Sequence, residues 1–243
     1  MIRWRNRVSP FRMHSLFSRS SVILLLGIQC AFALEPTPRP NPARFVGEIS
    51  AFAKQEPEKG GIVFAGSSNI RLWPNLQADF PGLPVVNRGF GGCLANDLVV
   101  FFETVVARNE PKIVVTYAGG NDLEEQLSVH EAFDDYTKFL TAIHERFPKT
   151  RVILNSVKIA PRRVLRIPQV HELNHLLETW ATGKDWLRYL DSSSYLADSQ
   201  DLPIPAYFGE DHLHLTPAGY SKWQAILDPV LREEWEKVRN TER

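Results

Sequence analysis

The passage Lys112-Ile113-Val114-Val115-Thr116-Tyr117-Ala118-Gly119-Gly120-Asn121-Asp122 decides the fold class of this chain. It opens with a run too short for a stable helix, rich in β-branched and aromatic side chains, and closed by two glycines. Such a run reads as a strand buried on both faces, and strands of that kind belong to parallel sheets with helices packed on either side.

Outwards from it the same signal returns. Gly61-Ile62-Val63-Phe64-Ala65 is a second continuous run, ending in Gly66-Ser67-Ser68-Asn69; Pro84-Val85-Val86-Asn87 is shorter and weaker, and residues 151–156 and 186–191 are two more. Between the strands the apolar period lengthens to three and four. It places Leu98, Phe101, Phe102 and Val105 within residues 94–109, and Phe133, Tyr136, Leu140 and Ile143 within residues 128–147. Residues 168–181 and 218–238 complete the helices, the last introduced by Thr216-Pro217, a favourable helix start. Strand and helix alternating in this way predict an α/β domain with a parallel sheet of about five strands. No internal repeat and no second domain are evident in the sequence.

With 243 residues, 44% apolar and 23% charged, the chain has the size and composition of one well-packed domain. Its formal net charge is zero but unevenly placed. Arg3, Arg5, Arg7, Arg12 and Arg19 fall in the first 33 residues, which hold no acid, and the remainder carries 23 basic against 28 acidic residues. A mildly acidic remainder with no basic face speaks against nucleic acid as a partner. The Arg-rich start precedes an apolar run over residues 22–33 that ends in Ala31-Phe32-Ala33, the small-x-small pattern of a cleaved export signal. At about a dozen residues the run is too short to span a bilayer comfortably, which weighs against an uncleaved anchor. The long stretch before it allows a start nearer Met13. Cys30 hints at lipidation, but Gln29 stands where such a signal needs a small residue. After cleavage only Cys93 remains, so no intramolecular disulfide can form. The expected organisation is a signal peptide over residues 1–33, a proline-rich linker, extended and mobile, over 34–43, and a folded domain over 44–243. The expected location is the bacterial periplasm or the medium, with no stable membrane span once the signal is removed.

In a sheet of this class ligands bind beyond the carboxyl ends of the strands. Ser68, Gly92 and Asn121 follow the first three strands, and Asp211-His212-Leu213-His214 lies in the loop before the last helix. Topology thus gathers residues from four distant stretches at one edge. Serine is a poor nucleophile until a neighbouring base takes its proton. His214 is the candidate base, and Asp211, three residues earlier, can hold its other ring nitrogen. The oxyanion formed on attack needs preorganised donors, which the Ser68 N–H, the Gly92 N–H and the Asn121 amide can supply. Taken singly each stretch has a bland reading: serines cap helices, Asn-Asp pairs start them, and Asp-x-x-His closes surface turns. Order and topology together favour the site.

These residues resemble the SGNH hydrolases, also called GDSL-type esterases, whose name lists the Ser, Gly, Asn and His of four blocks. Ser68 matches the nucleophile, Gly92 and Asn121 the oxyanion donors, and Asp211-x-x-His214 the D-x-x-H block. The resemblance extends over roughly residues 61–229. It implies a three-layer, flavodoxin-like α/β/α fold and hydrolysis of carboxylic esters through an acyl-enzyme, without metal or other cofactor. The first block departs from the usual Gly-Asp-Ser, reading Gly66-Ser67-Ser68. That leaves two adjacent serines as nucleophile candidates, and alignment of the glycine favours Ser68 over Ser67.

His171-Glu172-Leu173-Asn174-His175 matches the H-E-x-x-H zinc-peptidase pattern. Glu178 stands where the longer form of that pattern wants glycine, no third ligand sits at a telling distance, and Leu173, Leu176 and Leu177 make the segment an amphipathic helix. A non-catalytic module that kept the fold is opposed by the presence of Ser, His and Asp together. For the substrate, a carbohydrate or small-molecule ester with a short acyl group such as acetyl is expected, because no long apolar lid segment is present; a lysophospholipid or an acyl thioester comes next. Lys158, Arg162 and Arg163 follow the fourth strand, where they can meet an anionic group, and Trp73, Tyr207 and Phe208 can line an acyl or sugar pocket. Cys93 reads as a small buried filler.

Overall fold

Alternate side chains of a strand point to opposite faces of its sheet, and in this chain both sets are apolar. The structure, a computed structural model, describes residues 35–240; the expected signal peptide lies outside them. β1 (Ile62–Gly66), β2 (Val85–Gly89), β3 (Ile113–Tyr117), β4 (Arg151–Asn155) and β5 (Leu187–Leu190) form a parallel sheet in the order β2-β1-β3-β4-β5. Val63, Ala65, Val114, Val152 and Leu154 enter one buried cluster, and Ile62, Phe64, Ile113, Val115 and Ile153 enter the other. β2 runs beyond its predicted end because Arg88 and Gly89 continue the register opposite Ala65 and Gly66.

Nine α-helical segments flank the sheet among the described residues: α1 (Val46–Lys54), α2 (Ser68–Arg71), α3 (Leu76–Asp79), α4 (Ala95–Val100), α5 (Phe102–Val105), α6 (Gly120–Glu124), α7 (Val129–Arg146), α8 (Ile167–Ala181) and α9 (Pro217–Asn240). Residues from α1, α4, α5, α7 and α8 join the first cluster, and residues from α2, α3 and α9 the second, giving three layers. The helix expected over 94–109 is broken at Phe101, whose backbone (φ −100°, ψ 18°) leaves the helical region. The break lets neighbouring rings take different partners: Phe101 meets Phe90 edge-on at 6.1 Å, and Phe102 meets Phe139 at 6.4 Å. α1, α2, α3 and α6 carried too few turns for periodicity to reveal.

The proline-rich stretch, expected to be mobile, is tied down from Thr37 onward. Ser128 and Glu131 cap α7 reciprocally: Ser128 N–H donates to Glu131 Oε2 at 2.9 Å and Glu131 N–H to Ser128 Oγ at 3.2 Å. The same Glu131 accepts from Thr37 N–H at 2.7 Å and from Arg39 at 3.0 Å, and Arg39 also donates to Asp135 at 2.9 Å. Charged groups on the first turns of α7 therefore hold a segment that composition alone reads as loose.

Candidate active site

From β1 the chain winds outward to β2 and then crosses back to β3 on the other side, so the strand order switches between the parallel neighbours β1 and β3, which opens a crevice at their carboxyl ends. Gly66 closes β1 so tightly that a Cβ there would sit 2.2 Å from the Tyr117 carbonyl oxygen, and that carbonyl accepts the Ser67 N–H at 3.1 Å. Ser67 is the extended residue before α2 and Ser68 the first residue within it. This sharp turn buries Ser67 and directs Ser68 into the crevice. Ser68 Oγ lies 2.8 Å from His214 Nε2, and His214 Nδ1 lies 2.5 Å from Asp211 Oδ2. With the proton on Nδ1, as the carboxylate requires, Nε2 accepts from the Ser68 hydroxyl. Of the two serines, Ser68 alone meets the imidazole.

The loop that carries His214 is held from several sides. His212 adopts φ +56°, an uncommon conformation for a residue with a side chain. That bend lets Asp211 Oδ1 accept the N–H groups of Leu213 and His214, each at 3.0 Å. The His214 N–H, then the Leu213 N–H, hold the Asp211 carboxyl well below the usual carboxylate range. Lys158 Nζ donates to the Leu213 carbonyl at 2.6 Å, and Arg162 N–H to the His212 carbonyl at 2.9 Å. Burial lowers the Lys158 pKa to about 7, and neighbouring Arg163 adds to the effect.

At this edge of the sheet three donors have no acceptor among the described residues: the N–H of Ser68, the N–H of Gly92 and one of the two Nδ2–H groups of Asn121. The other Asn121 Nδ2–H donates to the Cys93 carbonyl at 3.0 Å, and Asn121 Oδ1 accepts from Arg163 Nη2 at 3.0 Å. The loops that carry Gly92 and Asn121 are joined by Asp122, which is fully buried. Its Oδ1 accepts Ala95 N–H at 2.9 Å and its Oδ2 accepts Gly119 N–H at 3.1 Å. Burial pushes the Asp122 carboxyl up to about 7.

Gly92 has φ +81°, and a Cβ there would meet nothing within 4 Å. Gly92→Ala is therefore expected to cost about 1 kcal/mol through backbone strain rather than collision, lowering Tm by only about 2–4 °C. Relief of that strain turns the N–H away from the crevice, so kcat should fall about tenfold or more. Parallel Tm and kcat measurements check this; a variant with full turnover would remove Gly92 from the site.

Beside Ser68 lies a cavity of about 20 Å³, walled in part by Asn69, Tyr117, Asn121, Lys158, Arg163 and Leu213. Asn69 and Tyr117 had no signal in the sequence, since one reads as a helix residue and the other as the end of a strand. Asn69 is buried with its Oδ1 unpartnered. Of the expected substrate-binding residues, Lys158 reaches this cavity. Arg162 stands on the outer rim beside Asp211 and His212, and Tyr207 does not line the cavity; its backbone carbonyl accepts Thr216 N–H and its ring faces Lys222. Trp73 is core, packed against Phe64, Phe80, Tyr220 and Trp223 with Nε1 donating to Asp79 at 2.6 Å. Phe208 is buried with Lys158 Nζ 5.0 Å from its ring. Cys93 is fully buried, and burial raises its thiol pKa.

His171, Glu172 and His175 are exposed on α8, while Leu173 and Leu177 are buried. His171 Nε2 lies 2.6 Å from Asp201 Oδ2, and no group of three or more His, Cys, Asp or Glu placed to hold a metal ion occurs among the described residues. The arrangement there is the polar face of an amphipathic helix.

The chain shares its fold with solved structures at low sequence identity. An acylhydrolase from Bacteroides fragilis, provisionally so assigned, is 22% identical with a TM-score of 0.67, the match covering 84% of this chain and 100% of that one. A GDSL-like lipase from Bacteroides thetaiotaomicron is 23% identical with a TM-score of 0.64, covering 79% and 98%. A variant of Axe2, an acetyl xylan esterase from Geobacillus stearothermophilus, is 21% identical with a TM-score of 0.56, covering 74% and 97%. No curated protein matches the chain in sequence. The sequence profile of the GDSL-like lipase/acylhydrolase family matches residues 57–222, which span β1 to the start of α9 and contain all five site positions. The chain, with its five-stranded parallel sheet and its Ser68, Gly92, Asn121 and His214 at one edge, belongs to the GDSL-like lipase/acylhydrolase family and has the SGNH hydrolase fold.

Proposed function

We propose that the chain is a serine esterase acting on short O-acyl esters through an acyl-enzyme. The observation that carries this reading is the line Ser68–His214–Asp211, at 2.8 and 2.5 Å, at the sheet edge where three N–H donors are left open. His214 takes the Ser68 proton as Oγ attacks the acyl carbonyl. The oxyanion forms against the Ser68 and Gly92 N–H groups and the Asn121 amide. His214 then returns the proton to the departing alcohol, and a water activated by the same imidazole releases the acid. Asp211 keeps the ring in the required tautomer and balances the imidazolium charge. No step calls for a metal.

Acetyl is the favoured acyl group. The cavity of about 20 Å³ beside Ser68 holds little more than one water-sized group, and its walls mix polar side chains with Ile159, Val170 and Leu213. The alcohol side is proposed to be a carbohydrate hydroxyl. The Axe2 neighbour, an acetyl xylan esterase, supports that choice. Among the described residues no helix is long and apolar enough to cross a membrane, and residues 1–33 are proposed to direct export to the periplasm or the medium.

The test is hydrolysis of p-nitrophenyl esters of increasing acyl length by the purified protein, with and without EDTA. kcat/KM is expected to fall about tenfold from acetyl to butyryl and further for octanoyl, since each added methylene has no pocket to enter, and EDTA should change nothing. A preference for octanoyl would overturn the short-acyl assignment, and loss of activity to EDTA with recovery on zinc would overturn the serine mechanism.

A further inference from the structure

The proposed reaction requires Asn121 to present an N–H, not its carbonyl oxygen, to the oxyanion, and a side-chain amide can flip between the two. We propose that Arg163 is the positioning residue that sets this flip and strengthens the donor; the inference rests on the esterase reading. The guanidinium grips two consecutive residues at the start of α6: Nη1 donates to the Gly120 carbonyl at 3.0 Å and Nη2 to Asn121 Oδ1 at 3.0 Å. Nε faces Glu124 Oε2 at 3.4 Å, which balances the charge. The nitrogen end of the amide is thereby left toward Cys93, whose carbonyl takes one N–H at 3.0 Å, with the second N–H free. In the flipped amide Oδ1 would face the Cys93 carbonyl and Nδ2 would face the guanidinium, so acceptor meets acceptor and donor meets donor. Both ends reject it. A cation on Oδ1 also draws density from the amide, which makes the free Nδ2–H a stronger donor.

Local backbone puts Arg163 there. Within the 3-10 segment Pro161–Arg166, Arg163 alone has a non-helical conformation (φ −122°, ψ 31°), and its side chain turns inward while Arg162, Val164 and Leu165 are exposed. Gly120 leaves room for it: a Cβ at that position would lie 3.3 Å from Arg163 Nη1. The sequence places Arg163 among cations for an anionic substrate. A guanidinium already facing three protein acceptors has little left to offer one.

The experiment measures kcat and KM for p-nitrophenyl acetate in wild type, Arg163→Ala, Arg163→Lys, Asn121→Ala and the double variant Arg163→Ala/Asn121→Ala. The ¹⁵N–¹H side-chain amide signals of Asn121 are recorded in wild type and in the two Arg163 variants. Asn121→Ala should lower kcat about 10²–10³-fold, the loss of one oxyanion donor, and Arg163→Ala about tenfold with KM little changed. Arg163→Lys should recover part of that, having the charge without the fork. The double variant should be no slower than Asn121→Ala alone, because Arg163 acts only through the amide. The Asn121 amide signals should shift in Arg163→Ala and shift less in Arg163→Lys. Additive losses in the double variant, an effect confined to KM, or unmoved amide signals would overturn the proposal. If wild type hydrolyses no ester, the esterase reading fails by itself, and the amide signals still decide whether Arg163 sets the Asn121 flip.

Discussion

Ser68→Ala is expected to lower kcat for ester hydrolysis by about four to six orders of magnitude with KM little changed, and His214→Ala by a similar factor. The two are proposed to act on one proton: among the described residues, the Ser68 Oγ at 2.8 Å from Nε2 is the one serine oxygen hydrogen-bonded to the imidazole. Removing either leaves the other without a task, so the double variant should be no slower than each single one. What remains should be about 10³–10⁴-fold above water, supplied by the three N–H donors and substrate positioning. Ser67→Ala is the internal control. Its hydroxyl makes no hydrogen bond to the site, and turnover should stay near wild type; if Ser67→Ala abolished activity while Ser68→Ala did not, the assignment of nucleophile would be reversed. Asp211→Asn should fall between these extremes. An amide there still accepts the Leu213 and His214 N–H groups, but it can present an N–H donor where His214 Nδ1 needs an acceptor. A carboxylate with 42% of its side chain exposed stabilises the imidazolium less than a buried one does. A loss of about 10²–10⁴ is expected.

The strands were legible because a parallel sheet buried on both faces demands uninterrupted apolar runs, and β1, β3 and β4 supply them. α7 and α9 were legible for the complementary reason, a sustained 3.6-residue period. The break at Phe101 was not, since Leu98, Phe101, Phe102 and Val105 fit one helical face whether or not the helix is continuous; the choice is made by Phe90 and Phe139, which lie outside the segment. Ser68, Gly92, Asn121, Asp211 and His214 could be read because topology brings strand ends together whatever the details of packing. Tyr207 and Trp73 could not be assigned from residue type, since an aromatic ring serves a pocket or a core equally well. Arg163 was visible as a charge but not as a partner of Asn121, because its inward turn depends on one kinked backbone position. The tether of Thr37 and Arg39 on α7 was hidden for a similar reason: composition sees prolines, while the hold comes from Glu131 and Asp135 more than ninety residues away.

The largest stability loss is expected at Asp122, a residue that touches no substrate. Its two oxygens accept buried N–H groups from Ala95 and Gly119, joining the loop of Gly92 to the turn of Asn121. Asp122→Ala strands both donors away from water, at about 1–3 kcal/mol each, and should lower Tm by roughly 5–20 °C for a domain of this size. kcat should fall in the same variant, because two of the three proposed oxyanion donors lose their common anchor. Asp122→Asn is the more informative change, since it keeps the shape and one acceptor. Two effects compete over the wild-type carboxyl: burial, which favours the protonated acid, and the two N–H donors, which favour the carboxylate. Burial wins if the folded-state value is about 7 against about 4 in the unfolded chain. Between those pH values the folded chain then binds more protons than the unfolded one. The contribution of this group is fully present below about pH 4 and is lost as pH rises through about 7. Asparagine does not titrate, so the gap in Tm between wild type and Asp122→Asn should narrow steadily over that window. A gap that stays constant or widens would show that the two backbone donors keep Asp122 ionised throughout, and that the oxyanion loops are held together by a buried charge.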